Sequence, residues 1–299
     1  MRPRKRNTAD IAITKNDNES AAIREGLNLL QADTLIHPED VVVITPNWVQ
    51  QQNPQTGIVV GPESLREVIR FVKKNNPRRI VVATGSGQKG TAEIMTVVGF
   101  DKIIKEEEVE FIDLNHGPFT RIKLNHDSPA ETNVNKLYNE MTFLISFTQL
   151  KYHEEATMSA AIKNIALGWP PPEEHGHPKK NLGIHSKLHE FIRAMAECIT
   201  IDLSIVSANP AMVGTGPGKG IPKHTGITLC GTDPIAVDTI GARLLGFKPQ
   251  GIRYLYECVG RNLGESEVNK MNIKGLSLVD AEKAFSTAAY GHLFSVDAK

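Results

Sequence analysis

The sequence is poor in cysteine and has no excess charge of either sign. Its three cysteines, Cys198, Cys230 and Cys258, lie far apart and form no C-x-x-C pair, so neither an iron–sulfur cluster nor a disulfide framework is expected. This cysteine usage favours a reducing compartment, and we predict a cytoplasmic protein. The 34 basic residues balance 34 acidic ones. That balance argues against nucleic-acid binding through a large positive field but allows a local basic pocket.

Long apolar runs are also missing. No stretch reaches the ~18 uncharged apolar residues of a membrane-spanning helix, so no membrane insertion is expected. Residues 1–9 are basic, lack the apolar segment of a secretory signal, and are predicted to form a flexible tail. With 299 residues, of which 40% are hydrophobic, the chain has the profile of a globular protein with a sizeable core.

Strand and helix patterns alternate along the chain. Val41 to Thr45 is a continuous apolar run stopped by Pro46, which is typical of a buried parallel strand. After Pro62 the apolar residues follow a helical spacing, and a further strand pattern covers residues 79–84. We predict an α/β fold with a mostly parallel twisted sheet flanked by helices. The predicted arrangement is two α/β lobes, 10–147 and 148–299, with a cleft between them; one continuous domain over 10–299 is the alternative.

Cationic and polar residues cluster after the apolar run 141–147. Lys151 and His153 follow this strand pattern directly, and ligands gather at the carboxyl edge of open α/β sheets. Lys163 and Asn164 interrupt a small apolar segment, where an unpaired ammonium is costly to bury. The cluster predicts an anion site in which the lysines neutralise the ligand and His153 is a general acid or base. A lysine that reaches solvent at a helix end is the alternative.

Two glycine-rich loops are candidate ligand contacts. Gly85, Gly87 and Gly90 fit the spacing G-x-G-x-x-G between a strand and a helix, with Asp113 at a later strand end. This pattern predicts a dinucleotide site, a general anion loop or a plain turn.

The second loop contains Gly216, Gly218 and Lys219. It is not a P-loop, because Gly220 follows the lysine and no helix pattern begins there. It could be a surface loop or a mobile lid that brings Lys219 over an anion.

Histidines and aspartates suggest two further sites. His175 and His177 could chelate a divalent metal, although a polar loop without a ligand explains them equally. Asp233 before Pro234 is a typical helix N-cap. Asp238 follows on a face that is expected to be buried, so its carboxylate needs a partner, and a lysine or a metal would serve.

In the order and spacing of several segments, the chain resembles the domain-of-unknown-function 362 family, from about Ala12 to about Gly275. These segments are Pro46-Asn47, Lys151-x-His153, Ile162-Lys-Asn-Ile165 with Gly168, the Gly216-Pro217 loop, and Gly231-Thr-Asp-Pro-Ile-Ala-Val-Asp238 with Gly241. Thr45 stands where the family pattern has lysine, and Ser207 stands where an aspartate is common. Many relatives carry ferredoxin-like iron–sulfur modules, whereas this chain has no cluster-binding cysteines.

The leading hypothesis is an enzyme that acts on a small anionic ligand carrying phosphate or carboxylate, with or without a metal. Its catalytic residues are expected to be His153, Lys163 and Asp238. The expected ligand contacts are Lys151, Asn164, Asn47, Gly216, Gly218 and Lys219. One rival is a non-catalytic binding module for a separate redox protein, and another is a nicotinamide-dependent oxidoreductase that uses the Gly85–Gly90 loop. The substrate, the metal and the oligomeric state stay open.

Overall fold

The computed structural model describes residues 2–47, 51–87, 90–294 and 296–297. The strands are Asp10–Lys15 (β1), Val41–Pro46 (β2), Arg79–Thr84 (β3), Glu110–Asp113 (β4), Phe119–Lys123 (β5), Glu131–Asn135 (β6), Phe143–His153 (β7), Thr157–Ser159 (β8), Leu203–Val213 (β9), Ile221–Lys223 (β10), Ile227–Gly231 (β11) and Asn272–Gly275 (β12). The helices are Glu19–Leu29 (α1), Pro62–Lys73 (α2), Thr91–Val98 (α3), Phe100–Glu106 (α4), Leu137–Glu140 (α5), Ala161–Gly168 (α6), Pro172–His175 (α7), Leu188–Cys198 (α8), Pro234–Leu245 (α9), Arg253–Gly260 (α10) and Leu278–Tyr290 (α11).

Ten of the described strands form one sheet in the order β12-β1-β11-β9-β7-β2-β3-β4, with β10 paired to β9 and β8 paired to β7. Strands β9, β7, β2, β3 and β4 run parallel, whereas β11 is antiparallel to both β1 and β9. Strands β5 and β6 form a separate antiparallel pair. The prediction of an α/β fold with a mostly parallel sheet flanked by helices is confirmed.

The sheet is continuous through the middle of the sequence. The boundary expected between residues 147 and 148 falls inside β7, which pairs with β2 on one side and β9 on the other. This is the arrangement that the single-domain alternative describes, and the division into two lobes stays a prediction.

Helices cover both faces of the sheet because the central strands bury side chains on both sides. All eleven residues of β9 are buried, as expected for a strand inside a covered sheet. One core contains Ile23 of α1 together with Leu65 and Val68 of α2. The other core contains Ile165 of α6 and Ile240 of α9. Helix α6 therefore packs on the opposite face from α1 and α2.

The basic residues that precede β1 contact the body of the protein. Four ion pairs hold them: Arg2 with Asp202, Arg4 with Asp233, Lys5 with Asp40, and Arg6 with Asp10. The prediction of a flexible tail did not anticipate these contacts. None of the described helices combines the length and the apolar character needed to cross a membrane.

Candidate functional site

A cavity of about 250 Å³ lies at the carboxyl ends of β2, β3 and β7, beside α6. We call it the lysine cavity, because Lys151, Lys163 and Lys179 all line it. The predicted site residues that it brings together are Asn47, Gly85, Gly87, Lys151, His153, Lys163 and Asn164. These residues come from separate strands and a helix, as expected where parallel strands end at one edge of a sheet.

Lys151 is buried near the end of β7. Its Nζ donates a 2.8 Å hydrogen bond to the backbone oxygen of Ile58, and its side chain forms no ion pair with a carboxylate of the described chain. Burial, and next the charge of Lys163, lower the pKa of Lys151 to about 7. A buried ammonium is costly unless an acceptor or an anion compensates it, and one carbonyl does so in part.

Lys163 lies in the first turn of α6 and is half-buried. Within the described residues its Nζ has no hydrogen-bond or ion-pair partner. Burial lowers the pKa of Lys163 to about 8, against the opposing effect of the Glu155 carboxylate. The next residue, Asn164, fixes the helix to the sheet, since its Nδ2 donates to the backbone oxygen of Thr45 at 2.9 Å.

Lys179 is a cavity residue that sequence reasoning missed. Its Nζ donates to the backbone oxygens of Leu167 and Gly168 at 3.2 Å and of Gly85 at 3.4 Å. It therefore satisfies carbonyl groups at the end of α6, where a cation also suits the helix dipole. Burial lowers its pKa to about 7, and Asp113 opposes this shift. Lys179 lies in an irregular, proline-rich stretch, so no periodicity pointed to it.

His153 is held as a neutral ring. Its Nδ1 accepts hydrogen bonds from the backbone N–H groups of Glu155 and Ala156, each at 3.1 Å. An Nδ1 that accepts twice places the ring proton on Nε2. Burial, and next the charge of Lys163, lower the pKa of His153 to about 2. The neutral ring can donate a hydrogen bond from Nε2, and the predicted acid–base role stays a prediction.

Two carboxylate residues, Glu154 and Glu155, also line the cavity. Glu155 pairs with Lys180 at 3.2 Å and with Nδ1 of His185 at 2.7 Å, and all three residues line the lysine cavity. The charge of Glu155 is thus engaged by two groups outside the trio of lysines.

Asn47 contributes an acceptor without a partner. Its Nδ2 donates to the backbone oxygen of Ile58 at 2.6 Å, which fixes the orientation of the amide. Its Oδ1 is buried and has no hydrogen-bond partner among the described residues. A buried polar atom of this kind calls for an explanation, and a donor on a ligand would satisfy it.

Other predicted residues lie away from the cavity lining. Among the described residues, no lysine contacts Asp238. Its carboxylate accepts from the backbone N–H groups of Ala161 and Ile162 and from the hydroxyl of Tyr254. These groups, rather than the expected lysine, are its partners among the described residues, and a metal partner stays a prediction. Burial raises the pKa of Asp238 to about 7.

Each of the two glycine-rich loops has some residues that line the lysine cavity and others that do not. Gly85 and Gly87 line the lysine cavity, whereas Gly90 precedes α3 and Gln88 and Lys89 lie outside the described residues. From the second loop, Pro217 lines the cavity, but Gly216, Gly218 and Lys219 do not. The backbone oxygen of Gly216 accepts from the backbone N–H of Glu154, so this loop contacts the end of β7.

The predicted metal ligands have other contacts. Nε2 of His175 lies 2.8 Å from the hydroxyl oxygen of Thr132. Burial lowers the pKa of His175 to about 4. His177 lies two residues further on, outside the lysine cavity lining. No group of three or more His, Cys, Asp or Glu residues in the described ranges is arranged to hold a metal ion. A metal stays an untested prediction.

The sequence of the chain also matches a known protein family. The model of the family described as "Domain of unknown function (DUF362)" matches residues 42–243, which is more than half of the chain. The chain belongs to this family. The match includes β7, α6 and most of α9, so it covers the lysines of the cavity and Asp238. The resemblance inferred from the sequence is confirmed.

Two similar proteins extend the comparison of this DUF362 member. The thylakoid-associated protein sll1697 of Synechocystis sp. is 24% identical over 221 residues, which cover 73% of this chain and 66% of that protein. The apoprotein of lactate racemase from Thermoanaerobacterium thermosaccharolyticum is 18% identical with a TM-score of 0.44, over 78% of this chain and 56% of that one. The chain thus spans about two thirds or less of the length of these proteins.

Proposed function

We propose that the lysine cavity binds a small anionic ligand that carries a carboxylate or a phosphate group. One observation carries the proposal. The ammonium groups of Lys151, Lys163 and Lys179 line one cavity, and no carboxylate of the described chain forms an ion pair with any of them. Side chains of like charge in a confined space repel one another unless an anion lies between them.

The energetics favour an occupied cavity. Burial lowers the pKa of all three lysines, because removing water from an ammonium group disfavours its charged form. An anion would reverse this cost and accept charge-assisted hydrogen bonds, which are about twice as strong as neutral ones. A volume of about 250 Å³ suits a metabolite smaller than a typical drug-sized ligand.

The proposal extends to the location of the protein in the cell. We propose a cytoplasmic location, because the three cysteines are free thiols and a reducing compartment preserves them.

Nicotinamide binding through Gly85 and Gly87 stays a competing prediction. It is tested by titrating NAD(P)H fluorescence with the protein, and a fluorescence change that phosphate does not abolish would favour it.

The test compares anion binding by the wild type and by Lys163→Met, with acetate, phosphate and larger carboxylates as ligands. Calorimetry and thermal unfolding should reveal stabilisation by at least one anion. Loss of one charge-assisted contact should weaken that binding ~10-fold or more. Lys102→Met is the matched control, because Lys102 is exposed and pairs only with Glu106 at 3.8 Å among the described residues. Equal anion affinity of the wild type and Lys163→Met would contradict the proposal, and so would the absence of any anion binding.

A further inference from the structure

We propose that Nζ of Lys163 is a nucleophile that forms an imine with the carbonyl carbon of a small oxo acid, an anion that carries an aldehyde or ketone beside its carboxylate. This inference rests on the proposed function, since it requires the anion to occupy the lysine cavity. It adds a chemical step and a substrate class to simple binding.

The three lysines differ in whether their nitrogen atoms donate hydrogen bonds. Lys151 donates to the backbone oxygen of Ile58, and Lys179 donates to three backbone oxygens around the end of α6. Both nitrogens are thereby held in place by backbone carbonyl acceptors. Nζ of Lys163 has no acceptor within the described residues, and its side chain is half-buried rather than sealed in the core. Of the three, Lys163 is the lysine whose nitrogen has no hydrogen-bond partner among the described residues.

The surroundings of Lys163 favour the uncharged amine. Its position in the first turn of α6 exposes it to the positive end of the helix dipole, which disfavours a cation. The charge of Lys163 lowers the pKa of Lys151, so the two side chains lie close enough to repel each other when both are charged. Glu155 acts in the opposite direction, but Lys180 and His185 already pair with it. A pKa near 8 leaves about a tenth of Lys163 uncharged at pH 7, against under about a thousandth of an ordinary lysine.

The other groups match the remaining charges of the reaction. The carboxylate of the oxo acid would lie against the ammonium groups of Lys151 and Lys179. When Nζ attacks the carbonyl carbon, the electrons of the C=O π bond move to oxygen, and the N–H of neutral His153 can stabilise the developing oxyanion. Proton transfer from nitrogen to oxygen gives a carbinolamine. Loss of its hydroxyl as water forms the C=N bond, so the products are one imine and one water, with no oxidant or reductant.

Reductive trapping tests this step. The full-length protein is incubated at neutral pH with glyoxylate, the smallest aldehyde that carries a carboxylate, and with cyanoborohydride, which reduces the imine to a stable amine. Peptide mapping by mass spectrometry should find the adduct on Lys163 at a rate ~10-fold or more above that on exposed Lys102. A saturating concentration of an anion that has no aldehyde or ketone group, such as acetate, should suppress labelling at Lys163. It should leave the labelling of Lys102 unchanged. Acetaldehyde, which lacks the carboxylate, should lose the preference for Lys163.

The same experiment separates this inference from the proposed function. If anions stabilise the wild type but Lys163 is labelled no faster than Lys102, the imine step is wrong and anion binding stands. If no anion binds and no selective adduct forms, both proposals are wrong. Selective labelling of wild-type Lys163 that an anion suppresses supports both, and this result needs no variant to fold.

Discussion

The carboxylate of Asp238 accepts a 2.8 Å hydrogen bond from the backbone N–H of Ala161, the first residue of α6. A second bond, at 3.3 Å, comes from the N–H of Ile162. The residue at the N-cap position, Ala160, has no side-chain acceptor of its own. A carboxylate from α9 therefore supplies the cap that the local sequence lacks. Because α6 carries Lys163, Asp238 positions this lysine through the helix backbone rather than by direct contact.

Asp238→Ala should lower both stability and anion binding. The substitution leaves the buried N–H groups of Ala161 and Ile162 without their acceptor, at an expected cost of ~1–3 kcal/mol in the free energy of unfolding. Loosening the start of α6 also displaces Lys163 and Asn164. We expect the anion affinity to fall several-fold under conditions where the variant is folded. Urea titration measures the first effect and calorimetry the second.

Ser277→Ala is the matched control, since Ser277 caps α11 by accepting from the N–H of Asp280 at 3.1 Å, and neither residue lines the lysine cavity. Its loss should cost ~1 kcal/mol and leave the anion affinity unchanged. An Asp238→Ala protein that is destabilised but binds anions as tightly as wild type would refute the positioning role.

Anion binding should take up protons at slightly alkaline pH. The pKa values of Lys151 and Lys179 are about 7 and that of Lys163 is about 8, all below the ordinary 10.5. An anion favours the charged lysines and raises these values, so protons bind together with the ligand. Affinity is therefore greatest below about pH 7 and falls as the pH rises through about 8. His153, with a pKa of about 2, stays neutral across this range.

Calorimetry with acetate in two buffers of different ionisation enthalpy measures this proton uptake, because acetate itself does not titrate near neutral pH. Lys163→Met should take up fewer protons per ligand than the wild type. A constant acetate affinity between about pH 6 and about pH 9 would show that these lysines do not couple to the ligand.

The sequence was informative where chemistry and periodicity are local. Lys151 and His153 follow an apolar strand, and this pattern sufficed to predict that both lie at the carboxyl edge of the sheet. The pair Asp233-Pro234 predicts a helix that begins at Pro234, and α9 begins at this residue. Asp233 caps this helix as predicted, with 2.8 Å to the N–H of Ile235.

Contacts between distant segments could not be predicted in the same way. Lys179 is positioned by carbonyl groups at the end of α6, and nothing in its own proline-rich segment indicates them. The sequence predicts that Asp238 needs a partner. It cannot show that the partners are backbone N–H groups, because every non-proline residue has such a group. The role of His153 likewise depends on two backbone donors that fix its tautomer.

Gly85 should tolerate no side chain, because β3 and α6 approach each other at this residue. A Cβ atom there would lie 2.3 Å from Oδ1 of Asn115 and 2.7 Å from the backbone oxygen of Gly168. The same oxygen accepts from Nζ of Lys179, so Gly85→Ala should displace both the end of α6 and this lysine. We expect a loss of ~1–3 kcal/mol in unfolding free energy, as for overpacking elsewhere, and weaker anion binding. Gly260→Ala is the control, since a Cβ there meets nothing within 4 Å and its effect should stay within ~0.5 kcal/mol. If the two variants unfolded at the same urea concentration and bound anions equally, the close approach of β3 and α6 would not be part of the site.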